Sequence, residues 1–387
     1  MKKIGVCACY NSKNYGSMLQ TLATEKQLEK LGFSYEIIRY SRKLTPALLF
    51  RSIDRIPEIL KKKLEKKKQA IELTRYPKVK YGIKIRNQCF DSFMTSTFTA
   101  LSPIYDTFRE LQNAAKKYDA VLVGSDQLWR PEGFSTGFYT LEFVPDDVIK
   151  ISYATSFGVS QIPKNKLKIA KKFLERINHI SVRELRASKM VEEITGRKVP
   201  TVVDPTLLFN EDEWKVMIPE KKVIDTGKKY IFCYLLGANP AHRSAVKKFS
   251  AETGCIIVTT PHLDEFVEAD DTFGDISMYQ VGPAEFVNLI RNASYVCTDS
   301  FHGSVFSILH HKSFVTFNRF ADGCRNSRNS RIDSLLHQTG LESRHCTDLT
   351  ALSRIMDEKI DYIEVEKKLT RMREDSQQYL KNALDSI

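Results

Sequence analysis

The chain has 387 residues, a net charge of +12 and a hydrophobic fraction of 42%, which predicts a sizeable packed core spread over roughly two domains of ~150 residues each plus extra segments. No run of 18 apolar residues occurs, so no membrane-spanning helix is expected. Residues 42–86 hold 15 Lys and Arg against 4 Asp and Glu, +11 of the total, which leaves the rest near neutral and argues against a protein that coats nucleic acid.

Lys3 to Ala8 is apolar enough for a first strand. The start reads straight into it with no cleavable signal, which points to a cytoplasmic protein. Cys9 to Ser17 is a polar, Gly-containing loop, and Met18 to Leu31 has leucines at helical spacing, stopped by Gly32. Phe33 to Tyr40 is the second strand. This opening is a βαβ unit whose loop is either a nucleotide-type site or a plain connection. It lacks GxGxxG, so no dinucleotide is expected. Residues 42–100 read as an insertion punctuated by Pro46, Pro57 and Pro77, with an apolar stripe among Lys and Arg. That basic amphipathic pattern is either a peripheral contact with anionic lipid through 42–86 or a solvated helical hairpin covering the domain edge.

Ala120 to Val123 is a buried strand ending in Gly124-Ser125-Asp126-Gln127-Leu128-Trp129. Val148 to Tyr153 ends in Ala154 to Gly158, His179 to Val182 ends in Arg183-Glu184, and Lys198 to Val203 ends in Asp204 to Leu208. Four successive strands thus end in short polar loops, which in a parallel sheet would line one rim. Each loop alone reads as structural; a rim holding Asn14, Ser125, Asp126 and Arg183 together reads as a site. Residues 210–228, with Trp214, form a junction. A second α/β unit begins at Tyr230, with a helix from Ala241 to Thr253, a strand from Cys255 to Thr259, an acidic loop over 264–275 and a helix from Pro283 to Asn292.

Tyr295 to Thr298 is then a β-prone strand. Asp299 and Ser300 break it and can cap the helix that follows, and Gly303 and Ser304 leave room for a ligand near the backbone. With the strand Ser313 to Phe317 this makes a parallel crossover, whose helix start can hold an anion. His302 in that turn is either an acid/base group or an incidental residue of a capped helix. Asn318 to Arg331 is dense in arginine, and 349–384 is a polar helical tail. Eight cysteines show no zinc spacing, so free thiols in a reducing cytosol and no metal site are expected.

In order, Asn14-Tyr15-Gly16, Gly124 to Trp129, Ser152 to Gly158, Ser181 to Glu184, Val203 to Leu207 and Thr298 to Gly303 resemble the polysaccharide pyruvyl transferase family over roughly 1–340. The resemblance implies an α/β protein with two Rossmann-like domains facing across a cleft, GT-B-like. The N-terminal domain, 1–210, would carry the acceptor side and the basic insertion; the C-terminal domain, 229–340, would carry the donor side. A helical tail, 341–387, would pack back on the first domain. It also implies pyruvyl transfer from phosphoenolpyruvate to a sugar diol of a cell-surface glycan, with no further cofactor; the basic insertion would fit a lipid-linked acceptor. Where members of the family carry Arg-Leu-His-Gly, this chain has Ser300-Phe301-His302-Gly303. The histidine carries over; a donor-binding arginine must come from elsewhere, such as Arg183 or the Arg319–Arg331 loop.

The expected roles follow. His302 is the acid/base group. Arg183 and Arg331, with Ser300 and the amides near Gly303, hold the donor. Asn14, Tyr15, Gly16, Ser125, Asp126 and Trp129 line the acceptor side. A nucleotide-sugar glycosyltransferase on the same architecture and a non-catalytic glycan-binding protein are the competing readings.

Overall fold

The computed structural model describes residues 2–41, 56–261, 266–320 and 329–387. Residues 42–55 of the basic segment, and Arg325 and Arg328 of the arginine-dense loop, lie outside the described residues.

The described strands form two parallel sheets of six. The first contains β1 (Lys3–Cys7), β2 (Ser34–Tyr40), β3 (Leu101–Tyr105), β4 (Ala120–Val123), β5 (Ile149–Thr155) and β6 (His179–Val182), in the order β3-β2-β1-β4-β5-β6. The second contains β7 (Tyr230–Tyr234), β8 (Ile256–Thr259), β9 (Ile276–Ser277), β10 (Tyr295–Thr298), β11 (Ser313–Phe317) and β12 (His345–Cys346), in the order β12-β11-β10-β7-β8-β9. Counted from β7, that is the same order. Each sheet therefore reverses its winding once, between β1 and β4 and between β7 and β10. Connecting segments leave in opposite directions at such a point and open a crevice at the carboxyl ends of the strands. The central strands are apolar without alternation because helices cover both faces; β4, Ala-Val-Leu-Val, is buried at every position.

Three elements differ from the sequence reading. β3 lies inside a stretch with no strand pattern, because Pro103 interrupts it; an edge strand tolerates the missing donor. Residues 198–203 make only an isolated bridge, Val182 to Thr201. Pro200 contributes its carbonyl to Val182 but has no N–H to continue the ladder. The first helix begins at Tyr15 rather than Met18, with the Asn14 side chain accepting from the Ser17 amide at 3.0 Å. The polar loop after β1 is thus shorter, and Asn14 sits at a helix start.

The basic segment is the crossover between β2 and β3, so it belongs to the first α/β unit. Its second helix, Pro77–Thr97, buries Val79, Arg86 and Phe90. Gly82 lies under the Tyr279 ring, where an added Cβ would come within 2.3 Å, and Arg86 stacks on that ring at 5.6 Å. Phe90 meets Tyr15 at 4.8 Å. This helix is a packed strut between the halves rather than a solvated cover.

Two further elements tie the sheets together. In the junction helix Glu211–Met217, Trp214 is wholly buried; it donates to the Thr206 carbonyl at 2.8 Å and meets Phe306 edge-on at 5.0 Å. The last helix, Tyr362–Asp385, runs back to the first sheet. There Arg373 Nε donates to the Leu207 carbonyl at 2.8 Å and the Tyr379 hydroxyl donates to the Ser152 carbonyl at 3.0 Å. Among the described residues no helix is long and apolar enough to cross a membrane.

Candidate active site

The two crevices face each other. From the first sheet come Asn14, after β1, and Asp126 and Gln127, after β4. From the second come Leu236, after β7, and Asp299 to His302, after β10. Arg319, Phe320, Asn329, Arg331 and Ile332 complete a polar cavity of about 130 Å³.

Each wall is held by its own bonds. Asp126 sits in the left-handed region, φ 75°, at a cost of ~1–3 kcal/mol for a residue with a Cβ. Its carbonyl accepts from the Leu128 and Ser156 amides at 2.8 and 2.9 Å, which holds the strained turn in place. Its carboxylate accepts from Ser17 Oγ at 2.6 Å and lies 3.6 Å from Arg183 Nη2. On the other side, Asp299 accepts from the Leu236 and Gly237 amides at 2.6 and 2.7 Å and pins the end of β7 beside it. Ser300 caps the helix Phe301–Leu309 by accepting from the Gly303 amide at 3.3 Å. The N–H groups of Phe301 and His302, in the first turn of that helix, have no carbonyl of their own helix to bond.

Beneath the cavity lies a buried cluster of charge. Asp204 Oδ2 accepts from Arg183 Nη1 at 2.5 Å and from Ser125 Oγ at 3.0 Å. Its Oδ1 accepts from the Thr206 amide and hydroxyl at 3.1 and 2.7 Å. His302 Nε2 lies 3.6 Å from Asp204 Oδ2, an electrostatic contact that orients the ring. The Nδ1 side of the ring packs on Gly16, where an added Cβ would lie 1.9 Å away; only glycine admits the imidazole there. Phe301 offers its ring to two cations: Arg183 Cζ is 4.5 Å and Arg331 Cζ 5.8 Å from its centroid. Gln127, with its amide oxygen toward Arg331, accepts from both Nη atoms at 3.2 Å.

The electrostatics follow from burial and these partners. Burial pushes the Asp204 carboxyl upward, but His302, Arg183 and the Thr206 hydroxyl outweigh it and hold the group well below the usual carboxylate range. Asp126 is likewise held down against its burial, by Arg183, His302, Ser17 and Arg331. Glu184 goes the other way: burial dominates and raises it, although Arg183, the Ser156 hydroxyl and Arg331 oppose. The cluster thus pairs two carboxyls held low with Arg183 and sets beside them one that burial raises.

A family model for polysaccharide pyruvyl transferase matches residues 14–319, about four-fifths of the chain. The chain belongs to the polysaccharide pyruvyl transferase family. No curated protein is a significant match to the sequence. Among solved structures, a Listeria monocytogenes protein described as a UDP-N-acetylglucosamine 2-epimerase aligns at TM-score 0.51 and 12% identity, covering 96% of this chain and 90% of that one. UDP-GlcNAc 2-epimerase from Neisseria meningitidis, bound to UDP-GlcNAc, aligns at 0.47 and 10%, covering 96% and 99%. MurG from Acinetobacter baumannii aligns at 0.44 and 8%, covering both chains fully. The first of these supports the fold alone, the GT-B-like pair of Rossmann-type halves that the strand orders show.

Within this member of the family, the residues expected at the site divide by position. His302, Ser300, Arg331, Asn14 and Asp126 line the cavity, and Gly16 seats His302. Five expected roles need correcting. Arg183 does not line the cavity; it is 4% exposed and pairs with Asp204 and Asp126 beneath it. The Gly303 amide is taken by Ser300, and its missing Cβ makes room for Thr298 Oγ1, 2.4 Å from where that Cβ would stand. Ser125 is fully buried and bonds the Ala154 carbonyl and Asp204. Tyr15 stacks on Phe286 at 4.5 Å and donates to the Val281 carbonyl at 3.1 Å; burial pushes its hydroxyl up to about 12, so it stays a donor inside the junction of the halves. Trp129 is fully buried among Phe157 and Phe173, with Nε1 on the Tyr139 carbonyl.

The sequence reading did not assign roles to Asp204, Ser17, Gln127 or Asn329; Arg319 entered it only as one end of the arginine-dense loop. Asp204-Pro205-Thr206 does carry a signal: an Asp before Pro-Thr is the local turn in which the side chain bonds the amide two residues on. The structure shows that bond.

Proposed function

We propose that this protein moves a pyruvyl group from phosphoenolpyruvate to two hydroxyls of a glycan sugar, forming a cyclic ketal. The observation that carries this reading is a small polar cavity where Arg319, Arg331 and the start of the Phe301–Leu309 helix meet His302. The donor brings a phosphate and a carboxylate. Two guanidinium groups and a helix N-terminus are a matching set of donors.

In this reading the His302 imidazolium gives a proton to the methylene carbon of the donor. The first sugar hydroxyl attacks the adjacent carbon, and its proton restores the imidazolium. The carbon–phosphate oxygen bond then breaks, and the second hydroxyl closes the ring as its proton leaves with phosphate. Asp204 holds the ring; Arg319 and Arg331 neutralise the departing phosphate. The acceptor meets the Asn14 and Asp126 side of the cavity.

A thermal-shift series separates this reading from the nucleotide-sugar alternative. Phosphoenolpyruvate at a hundred times its Kd should stabilise the protein by about 2.7 kcal/mol, and UDP or GDP should leave it unchanged. Stabilisation by UDP or GDP with none by phosphoenolpyruvate would overturn the donor assignment. Stabilisation by glycan alone would favour a non-catalytic binder.

A further inference from the structure

A second surface lies apart from the cavity, on the first helix of the β2–β3 crossover, Ile56–Glu72. Ile56, Leu60, Leu64 and Ile71 are all exposed, the last three by 54%, 61% and 60%. Their spacing of 4, 4 and 7 residues puts them on one face of an α-helix. Among the described residues no other segment carries four exposed large hydrophobics. Lys61, Lys63, Lys66, Lys67 and Lys68 are exposed along the same helix. Glu65, 3.9 Å from Lys61, offsets little of that charge. The neighbouring helix extends the character, with Tyr81 65% exposed and Lys78, Lys80 and Lys84 at its surface.

We propose that this helix is a docking face for an anionic lipid bilayer. An apolar stripe flanked by lysines matches the boundary between acyl chains and negatively charged headgroups. Charge decides among occupants. A second copy of the chain would bring an equally basic face against this one, and like charges across an interface repel. An uncharged bilayer would satisfy the stripe but leave the lysines unpaired. The face lies on the connection whose second helix braces the two halves, so docking there would set the cleft at a fixed orientation to the membrane. This inference does not depend on the donor or on pyruvyl transfer.

The test is flotation of the full chain with phosphatidylcholine vesicles, with and without about 30% phosphatidylserine, an anionic content of the kind that attracts polybasic segments. Binding to the anionic vesicles should exceed binding to the neutral ones at least tenfold and should weaken as salt rises. The variant Leu60→Ser/Leu64→Ser/Ile71→Ser should lose that binding at least tenfold while keeping its melting temperature, because all three side chains are exposed. Replacing Lys66, Lys67 and Lys68 by Glu should do the same and should remove the salt dependence. Equal binding by parent and variants, or no binding to anionic vesicles, would overturn the proposal. So would a dimer in solution that the serine variant dissociates, since the face would then serve a second copy. Specific capture of an acidic protein without vesicle binding would overturn it as well.

Discussion

Asp204→Ala should cost on the order of 3–5 kcal/mol of stability and abolish activity. The cost follows from what remains behind. Arg183 is buried, and Asp204 supplies its shortest ion pair, at 2.5 Å; Asp126 is more distant at 3.6 Å. Removing one partner of a buried pair leaves an uncompensated charge, and that is what makes such losses large. The Ser125 hydroxyl and the Thr206 amide and hydroxyl lose their acceptor at the same time. A second substitution tests the cause. Arg183→Met on the Asp204→Ala background should recover part of the loss, because the orphaned guanidinium is gone. A single variant that melts within about 1 kcal/mol of the parent, or a double variant that adds the two losses, would contradict the cluster as described. The pH dependence has a definite sign. The folded-state pKa values of Asp204 and Asp126 are depressed. Their stabilisation is therefore complete above the unfolded value of about 3.9 and fades as pH falls below it. The parent should lose stability steeply below about pH 4, and Asp204→Ala should show a shallower acid limb.

His302→Ala should reduce phosphate release from phosphoenolpyruvate plus acceptor by ~10²–10⁴, the usual contribution of a positioned general acid/base. Its melting temperature should stay near that of the parent. Nε2 makes no hydrogen bond among the described residues, so little bonding is lost. The donor's KM should change less than kcat, because Arg319, Arg331 and the helix start remain. Asp204→Ala fails through the frame of the site, whereas His302→Ala fails through the chemistry. Measuring stability and turnover on both variants distinguishes the two. Turnover of His302→Ala equal to that of the parent would remove the imidazole from the mechanism.

The sequence was most informative where local physics dominates. The central strands announce themselves as apolar runs because both their faces are buried, and the loops after β1, β4 and β10 announce themselves as polar turns. Placing Asn14 and Asp126 on one rim required only the rule for parallel sheets; that His302, on the second sheet, would face them followed from the family resemblance, and the structure brings the three to one cavity. Direction was hidden. Trp129 follows Asp126 by three residues in the same turn, yet it points into the core of the first half. Tyr15 follows Asn14 and packs at the junction. Nothing in residue type separates a rim residue from its neighbour that turns inward. Partnership across the sheet was hidden too. Arg183 reads as a free cation for the donor until Asp204, 21 residues on, closes over it at 2.5 Å. Edge strands were the other loss: β9 and β12 have two residues each, too short for any period.

One small cavity is proposed to hand a pyruvyl group from phosphoenolpyruvate to a sugar diol, with His302 supplying the proton. Proton NMR of the product, together with phosphate release, tests it most directly. The parent with phosphoenolpyruvate and a glycan acceptor should yield one phosphate for each new ketal methyl group. Run in deuterated water, the reaction should place deuterium in that methyl group, because its third hydrogen comes from an exchangeable acid. Phosphate release without a ketal methyl group, or transfer of a sugar from a nucleotide donor in its place, would contradict the account.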